Sequence, residues 1–212
     1  MITIAIAKGR MQNEALALLA RAGVCLNNAD LASRSLAVSD LSGEYRVIFV
    51  KPADVPVYVE HGIADCGVVG RDVLLESESD LLLPLDLGIA RCRLVVAAAS
   101  ENVRAEHRGM LRVATKYPHL ATEYFGACGI PVEIIRLSGS VELAPALGLA
   151  DVIVDLVETG TTLRENGLSV VDTITDSSGR LVVNRASYQL KAAGISHLIE
   201  ALRNTLNGVN SS

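Results

Sequence analysis

Residues 150–163 read Ala-Asp-Val-Ile-Val-Asp-Leu-Val-Glu-Thr-Gly-Thr-Thr-Leu. Val152, Ile153 and Val154 form a β-branched run suited to a buried strand. The chain turns polar at Asp155, and Glu158-Thr159-Gly160-Thr161-Thr162 leads into the helix-compatible Leu163-Arg164-Glu165-Asn166. A strand that ends in a small-residue loop and opens a helix gathers backbone N–H groups at one spot. Those orphan donors and the positive end of the helix dipole favour an anion such as phosphate. The carboxylates of Asp155 and Glu158 do not attract phosphate; they suit sugar hydroxyls or a metal ion. Phosphate, ribose and metal together make the recognition set of a phosphoribosyl donor. The alternative is an ordinary βα turn capped by threonine.

A second group of residues offers positive charge. Lys8 and Arg10 follow an apolar run at residues 2–7, and Gly9 between them lets the backbone approach a ligand. The glycines of a Walker loop are missing. Arg34, Lys51 and Arg71 are further cations at loop edges. Each alone suits a solvated surface, whereas together with Lys8 and Arg10 they suit a polyphosphate. Lys116 follows another short apolar run. Ser138-Gly139-Ser140-Val141-Glu142 is a second small-residue loop. It either binds another phosphate group or caps a helix through Ser138 or Ser140. Four cysteines and four histidines are scattered without metal-ligand spacing, so the cysteines read as reduced packing residues and no zinc site is expected.

These residues need elements to hold them. Strands are expected over residues 2–7, 45–50, 65–69, 94–99, 113–115, 132–137 and from 152. Helices are expected over 13–22, 55–61, 117–128 and 141–147, each stopped by a glycine. Residues 169–175 and 180–184 alternate about Asp176-Ser-Ser-Gly179, which predicts a hairpin. A final helix is expected over 188–206, with Gly194 as a break. Strand–helix alternation predicts α/β layers with parallel sheets. Gly62-Ile-Ala-Asp65 and Gly148-Leu-Ala-Asp151 repeat one pattern. We read it as two similar α/β halves, each offering the C-terminal edge of a strand to a shared cleft.

Composition agrees. The 212 residues are half hydrophobic, with no Trp and two Phe, so the core must be aliphatic. A net charge of −5 and few aromatics argue against nucleic acid. No signal-like or membrane-spanning run is present, so a cytoplasmic protein is expected.

The chain resembles the catalytic subunit of ATP phosphoribosyltransferase in its short form. The resemblance rests on residues 7–10, 54–72 and 114–118, and above all on 139–167, from Gly-Ser-Val-Glu through Asp155 and Thr-Gly-Thr-Thr to Gly167. It implies two α/β domains like type II periplasmic binding proteins, with the active site between them. Domain I would comprise 1–92 and 176–212, and domain II the inserted 93–175. It also implies the first step of histidine biosynthesis, from ATP and phosphoribosyl diphosphate to phosphoribosyl-ATP and diphosphate. Mg²⁺ would be carried by the substrates, with no metal site in the protein. By matching position, Lys8, Arg10 and Lys51 would be catalytic. Asp155, Glu158, Thr159, Gly160, Thr161 and Thr162 would hold the donor. Arg34, Gly70, Asp72, Lys116, Ser138 and Glu142 would bind ATP.

Two positions depart from the family pattern. Ala7 stands where Pro is usual, and Lys51 where Arg is usual, which keeps the charge but loses the bidentate fork. The short form further implies a regulatory subunit like histidyl-tRNA synthetase, with a homodimer alone and a hetero-octamer in complex. Two other classes fit parts of the pattern: a solute-binding module, and a purine-salvage phosphoribosyltransferase. The second usually carries a paired acidic dipeptide, but Leu156 and Val157 separate Asp155 from Glu158.

Overall fold

The structure is a computed structural model that describes residues 1–27, 35–99 and 109–209. Arg34 lies outside the described residues. The chain divides into two compact units, residues 1–90 with 178–212, and residues 91–177.

The first unit is built on a six-stranded sheet. Its strands are β1 (Ile2–Ala7), β2 (Ala37–Ser39), β3 (Tyr45–Val50), β4 (Cys66–Gly70), β5 (Leu82–Asp86) and β11 (Gly179–Val183), in the order β2-β3-β1-β4-β11-β5. The central β3, β1 and β4 are parallel, and the outer strands pair antiparallel. β1 is buried from Ile4 to Ala7, as a parallel strand covered on both faces must be. Helices α1 (Gln12–Arg21), α2 (Val55–Glu60), α3 (Arg71–Ser77), α7 (Arg185–Leu190) and α8 (Ala192–Val209) accompany this sheet. Ile195, Leu198 and Leu202 carry α8 into the core with Ile4, Ile6 and Leu181.

The second unit has five strands, β6 (Cys92–Ala98), β7 (Leu111–Thr115), β8 (Val132–Arg136), β9 (Val152–Val157) and β10 (Ser169–Ser177), in the order β10-β6-β9-β7-β8. β9, β7 and β8 are parallel. Its helices are α4 (Pro118–Ala127), α5 (Leu143–Ala146) and α6 (Thr161–Glu165). Val95, Ala97, Ala114, Ile153 and Leu163 share one aliphatic cluster.

Three expectations are corrected. β10 and β11 are not a hairpin: β10 pairs with β6 in the second unit, and β11 with β4 and β5 in the first. Alternation shows that a strand has two faces, not where its partner lies. The last helix breaks at Lys191, between α7 and α8, and Gly194 lies inside α8. A Cβ at Gly194 would stand 2.8 Å from Ile2 Cδ1, so this glycine serves close packing. Cys25 and Cys128 are exposed, whereas Cys66 and Cys92 are buried. Burial pushes the Cys66 thiol up and keeps it protonated.

The repeated Gly-x-Ala-Asp pattern has a structural purpose. Gly62 and Gly148 take left-handed φ of +68° and +72°, where L-residues are strained. Each aspartate then locks the start of a parallel strand pair. Asp65 N–H donates to Thr3 C=O at 2.8 Å, and Thr3 N–H donates to Asp65 Oδ2 at 2.8 Å. Asp151 N–H donates to Arg112 C=O at 2.9 Å, and Arg112 N–H donates to Asp151 Oδ2 at 2.8 Å. Both staples sit where strands begin, leaving the C-terminal edges to the polar loops.

Candidate active site

In the first unit, the register Ala7↔Val50 and Ile6↔Val68 sets the C-terminal ends of β3, β1 and β4 side by side. Ligands in α/β sheets gather at such edges. Lys8 and Lys51 therefore leave from neighbouring strand ends, and both are exposed, as is Arg10. Lys8 N–H donates to Val50 C=O at 2.9 Å, which extends the ladder by one residue. Gly9 then takes φ +97° and turns the chain toward α1. Gly70 ends β4, and its lack of a side chain has a steric cause. A Cβ there would collide with Oδ1 of Asp72, a residue only 4% exposed at the start of α3.

In the second unit, the register Thr115↔Val154 and Thr115↔Arg136 aligns the ends of β9, β7 and β8. Buried Thr115 fixes this edge. Its Oγ1 donates to Val154 C=O at 2.7 Å and accepts from Tyr117 N–H at 2.8 Å. One residue further, Lys116 Nζ stands 3.7 Å from Asp155 Oδ2, an ion pair too long for a direct hydrogen bond. Asp155 is 7% exposed, and its Oδ1 accepts Leu156 N–H at 2.9 Å. Burial raises its pKa above the ordinary carboxylate value; Lys116 and the Leu156 N–H oppose that rise, and the negative charge of Glu142 adds to it. Asp155, Lys116 and Glu142 are thus one electrostatic group.

The 158–162 loop follows β9. Glu158, Thr159, Thr161 and Thr162 are exposed or nearly so, and Gly160 takes φ +75° at the helix N-cap without a side-chain cap. Buried Leu163 anchors the segment. α6 has only five residues, so the expected dipole contribution is small; aligned peptide units are too few to sum. The donors at this turn are the local N–H groups and the threonine hydroxyls, and they are held by a residue that sequence reasoning missed. Arg164 Nη1 donates to Thr159 C=O at 3.2 Å and Nη2 to Thr161 Oγ1 at 3.1 Å. Its place three residues after Thr161, on the same helix face, was the available signal.

The 138–142 loop corrects another expectation. No side chain caps α5: Glu142 holds the N-cap position, and Leu143 N–H bonds the Ser140 C=O at 3.2 Å. Ser140 has φ +49°, a strained value for a non-glycine residue. Ser138, Gly139 and Ser140 are exposed beside the same strand edge as Asp155. Among the described residues, no group of three or more His, Cys, Asp or Glu could hold a metal, and no helix is long and apolar enough to cross a membrane.

Two α/β sheets with cationic, hydroxyl-rich and carboxylate-bearing loops at their parallel edges define a protein that handles sugar phosphates and nucleotides. The chain belongs to the ATP phosphoribosyltransferase family, whose sequence profile matches residues 51–204. An ATP phosphoribosyltransferase of Sorangium cellulosum is 50% identical over 202 residues, 95% of this chain and 94% of that protein. The ATP phosphoribosyl transferase (HisG:HisZ) complex from Thermotoga maritima contains a chain of TM-score 0.87 and 36% identity, with 98% of each chain covered. The periplasmic aliphatic sulphonate binding protein SsuA from Escherichia coli has TM-score 0.59 at 14% identity, covering 99% of this chain and 74% of that one. That likeness shows the fold alone, the two-domain α/β fold of type II periplasmic binding proteins.

Proposed function

We propose that this chain transfers the 5-phosphoribosyl group of phosphoribosyl diphosphate to N1 of ATP, the first step of histidine biosynthesis. The observation that carries this reading is buried Asp155, paired with Lys116 at the head of the 158–162 loop. A carboxylate held at a cost in the free protein is ready to accept hydrogen bonds from ribose hydroxyls. Beside it, the N–H and hydroxyl donors of Thr159 to Thr162 suit the 5-phosphate, with Glu158 at the edge of the loop.

N1 of adenine carries a lone pair at neutral pH, so its attack needs no base. The C1–N1 bond forms as the C1–O bond breaks, and the bonding pair leaves with diphosphate. The chain's task is positioning and charge stabilisation. Lys8, Arg10 and Lys51 serve the departing negative charge. Gly70, Asp72, Lys116, Ser138 and Glu142 are assigned to ATP, and Arg34 stays an expectation from sequence. Asp72 is nearly buried, so its share is to shape the β4–α3 turn around Gly70 rather than to offer an open carboxylate.

Mg²⁺ fits this donor set in one way. Sparse carboxylates match an ion that keeps its waters and rides on phosphate oxygens with one or two protein carboxylates nearby. Asp155 is the carboxylate that would help hold it, and the ion would supply charge neutralisation on diphosphate. We also infer a cytoplasmic enzyme that works with a regulatory subunit, a reading supported by likeness to a chain of the HisG:HisZ complex from Thermotoga maritima, as a homodimer alone and a hetero-octamer with that subunit.

The test is an absorbance assay for phosphoribosyl-ATP with both substrates and Mg²⁺, with and without the regulatory subunit. Product formation that requires both substrates is expected. No product under either condition overturns the reading.

A further inference from the structure

We propose that Arg164 is a positioning residue for the phosphoribosyl donor, clamping the 158–162 loop from both sides of Gly160 before the donor arrives. This rests on the reading of that loop as the donor site. Asn166 Nδ2 holds the Thr162 C=O at 2.9 Å on the C-terminal side of Gly160, but this bond does not span the glycine. The threonines of the loop are exposed, no side chain caps Gly160, and α6 is too short to impose its own geometry. A loop of this kind loses conformational freedom on binding, and that loss weakens affinity unless it is incurred beforehand.

The guanidinium supplies the missing constraint. Nη1 holds the Thr159 carbonyl at 3.2 Å, and Nη2 holds the Thr161 hydroxyl at 3.1 Å. Thr161 Oγ1 is also 3.2 Å from Thr159 Oγ1. Because Thr161 Oγ1 accepts from Arg164, its own proton is left to donate, either to Thr159 or to a phosphate oxygen. The glycine belongs to the same device. A Cβ at Gly160 would stand 3.3 Å from Arg164 Nη1, tighter than side chains normally approach, and its φ of +75° is strained for other residues. Leu163, 4% exposed, fixes the backbone from which Arg164 extends. Lysine carries its three donors on one nitrogen, so it lacks the planar two-nitrogen fork with which Arg164 spans these acceptors.

The test compares Arg164→Met, Arg164→Lys and Asp155→Ala in the full chain with its regulatory subunit, by steady-state kinetics and by calorimetric titration with phosphoribosyl diphosphate. For Arg164→Met we expect the donor KM and Kd to rise about tenfold, with kcat and the ATP KM within about twofold, as for loss of a charge-assisted contact. Arg164→Lys should recover less than half of that loss. Melting temperature should not move, since Arg164 is exposed. A donor KM unchanged in Arg164→Met, or full rescue by lysine, overturns the clamp. If Asp155→Ala abolishes donor binding while Arg164→Met leaves it intact, only the clamp fails. If neither variant alters donor binding, the reading of the loop fails with it.

Discussion

Lys116 Nζ faces Asp155 Oδ2 at 3.7 Å across the adjacent ends of two parallel strands, and the pair does not offset the burial of the carboxylate. The folded protein therefore disfavours ionised Asp155. A carboxyl with a raised folded pKa gives stability that is complete below its unfolded pKa and lost as pH rises through the folded one. Asp155→Asn removes that penalty. The variant should melt higher than the parent at pH 8, and its advantage should shrink as pH falls toward the ordinary aspartate value near 3.9. It should also lose catalysis. Thermal melts across pH would decide the matter; equal or lower stability of the variant at pH 8 would mean that Lys116 compensates fully.

Asp65 has the opposite balance. Burial alone would raise its pKa, but Lys191 Nζ at 2.8 Å, the Thr3 N–H and Ser187 Oγ at 2.7 Å outweigh it and hold it below the usual range. Its contribution is present above the unfolded pKa and lost as pH falls through the folded one. Asp65→Ala should cost about 1–3 kcal/mol at pH 7, because it takes the acceptor from the Thr3 N–H and from Ser187 Oγ and frees the start of β1 from β4, while Lys191, 44% exposed and also bonded to the Met1 C=O, stays solvated. The deficit should narrow under acid. Denaturant midpoints at pH 7 and at about pH 2, well below the ordinary aspartate value, would show this, and a cost below about 1 kcal/mol at pH 7 would reduce the staple to an ordinary surface ion pair.

Much of this architecture is written locally. β1 and β9 were legible because strands covered on both faces must be largely apolar runs, as Ile2–Ala7 and the start of Val152–Val157 are, and β3 because Tyr45–Val50 alternates buried with more exposed residues. Short edge strands leave a weaker trace: β2 has three residues, and β5 carries Pro84, which reads as a loop and is tolerated only at an edge. The separation of β10 from β11 was hidden because both of their partners lie far off in sequence. The Gly-x-Ala-Asp repeat announced two related halves, but its reciprocal hydrogen bonds to Thr3 and Arg112 become visible only with the strands in register. Arg164 was overlooked for a similar reason. Spacing puts it on the face of Thr161, and only the left-handed turn at Gly160 brings Thr159 within its reach.

Gly70 and Asp72 should be coupled in stability. Gly70→Ala drives a methyl into the Asp72 carboxylate, whereas Asp72→Ala empties the space that the methyl needs. The double variant should therefore be more stable than the sum of the singles by about 1–2 kcal/mol. Chemical denaturation of the four proteins gives the coupling directly. Additive losses would show that the β4–α3 turn relaxes around the added carbon without moving Asp72.

Lys8 and Lys51 form the final test, because register makes them neighbours while exposure frees them from the core. Neither side chain supports the fold, so Lys8→Met and Lys51→Met should melt within about 1 °C of the parent, as surface changes do. Their effect should fall on the chemical step, where charge develops on diphosphate. Loss of one preorganised cation should lower kcat about ten- to hundredfold. Lys51→Arg keeps the charge and adds the bidentate fork, so it should keep kcat within about threefold. A Lys51→Met enzyme of normal kcat and raised KM for ATP would move Lys51 from the leaving group to nucleotide binding. In that outcome Lys8 and Arg10 would carry the departing charge without it.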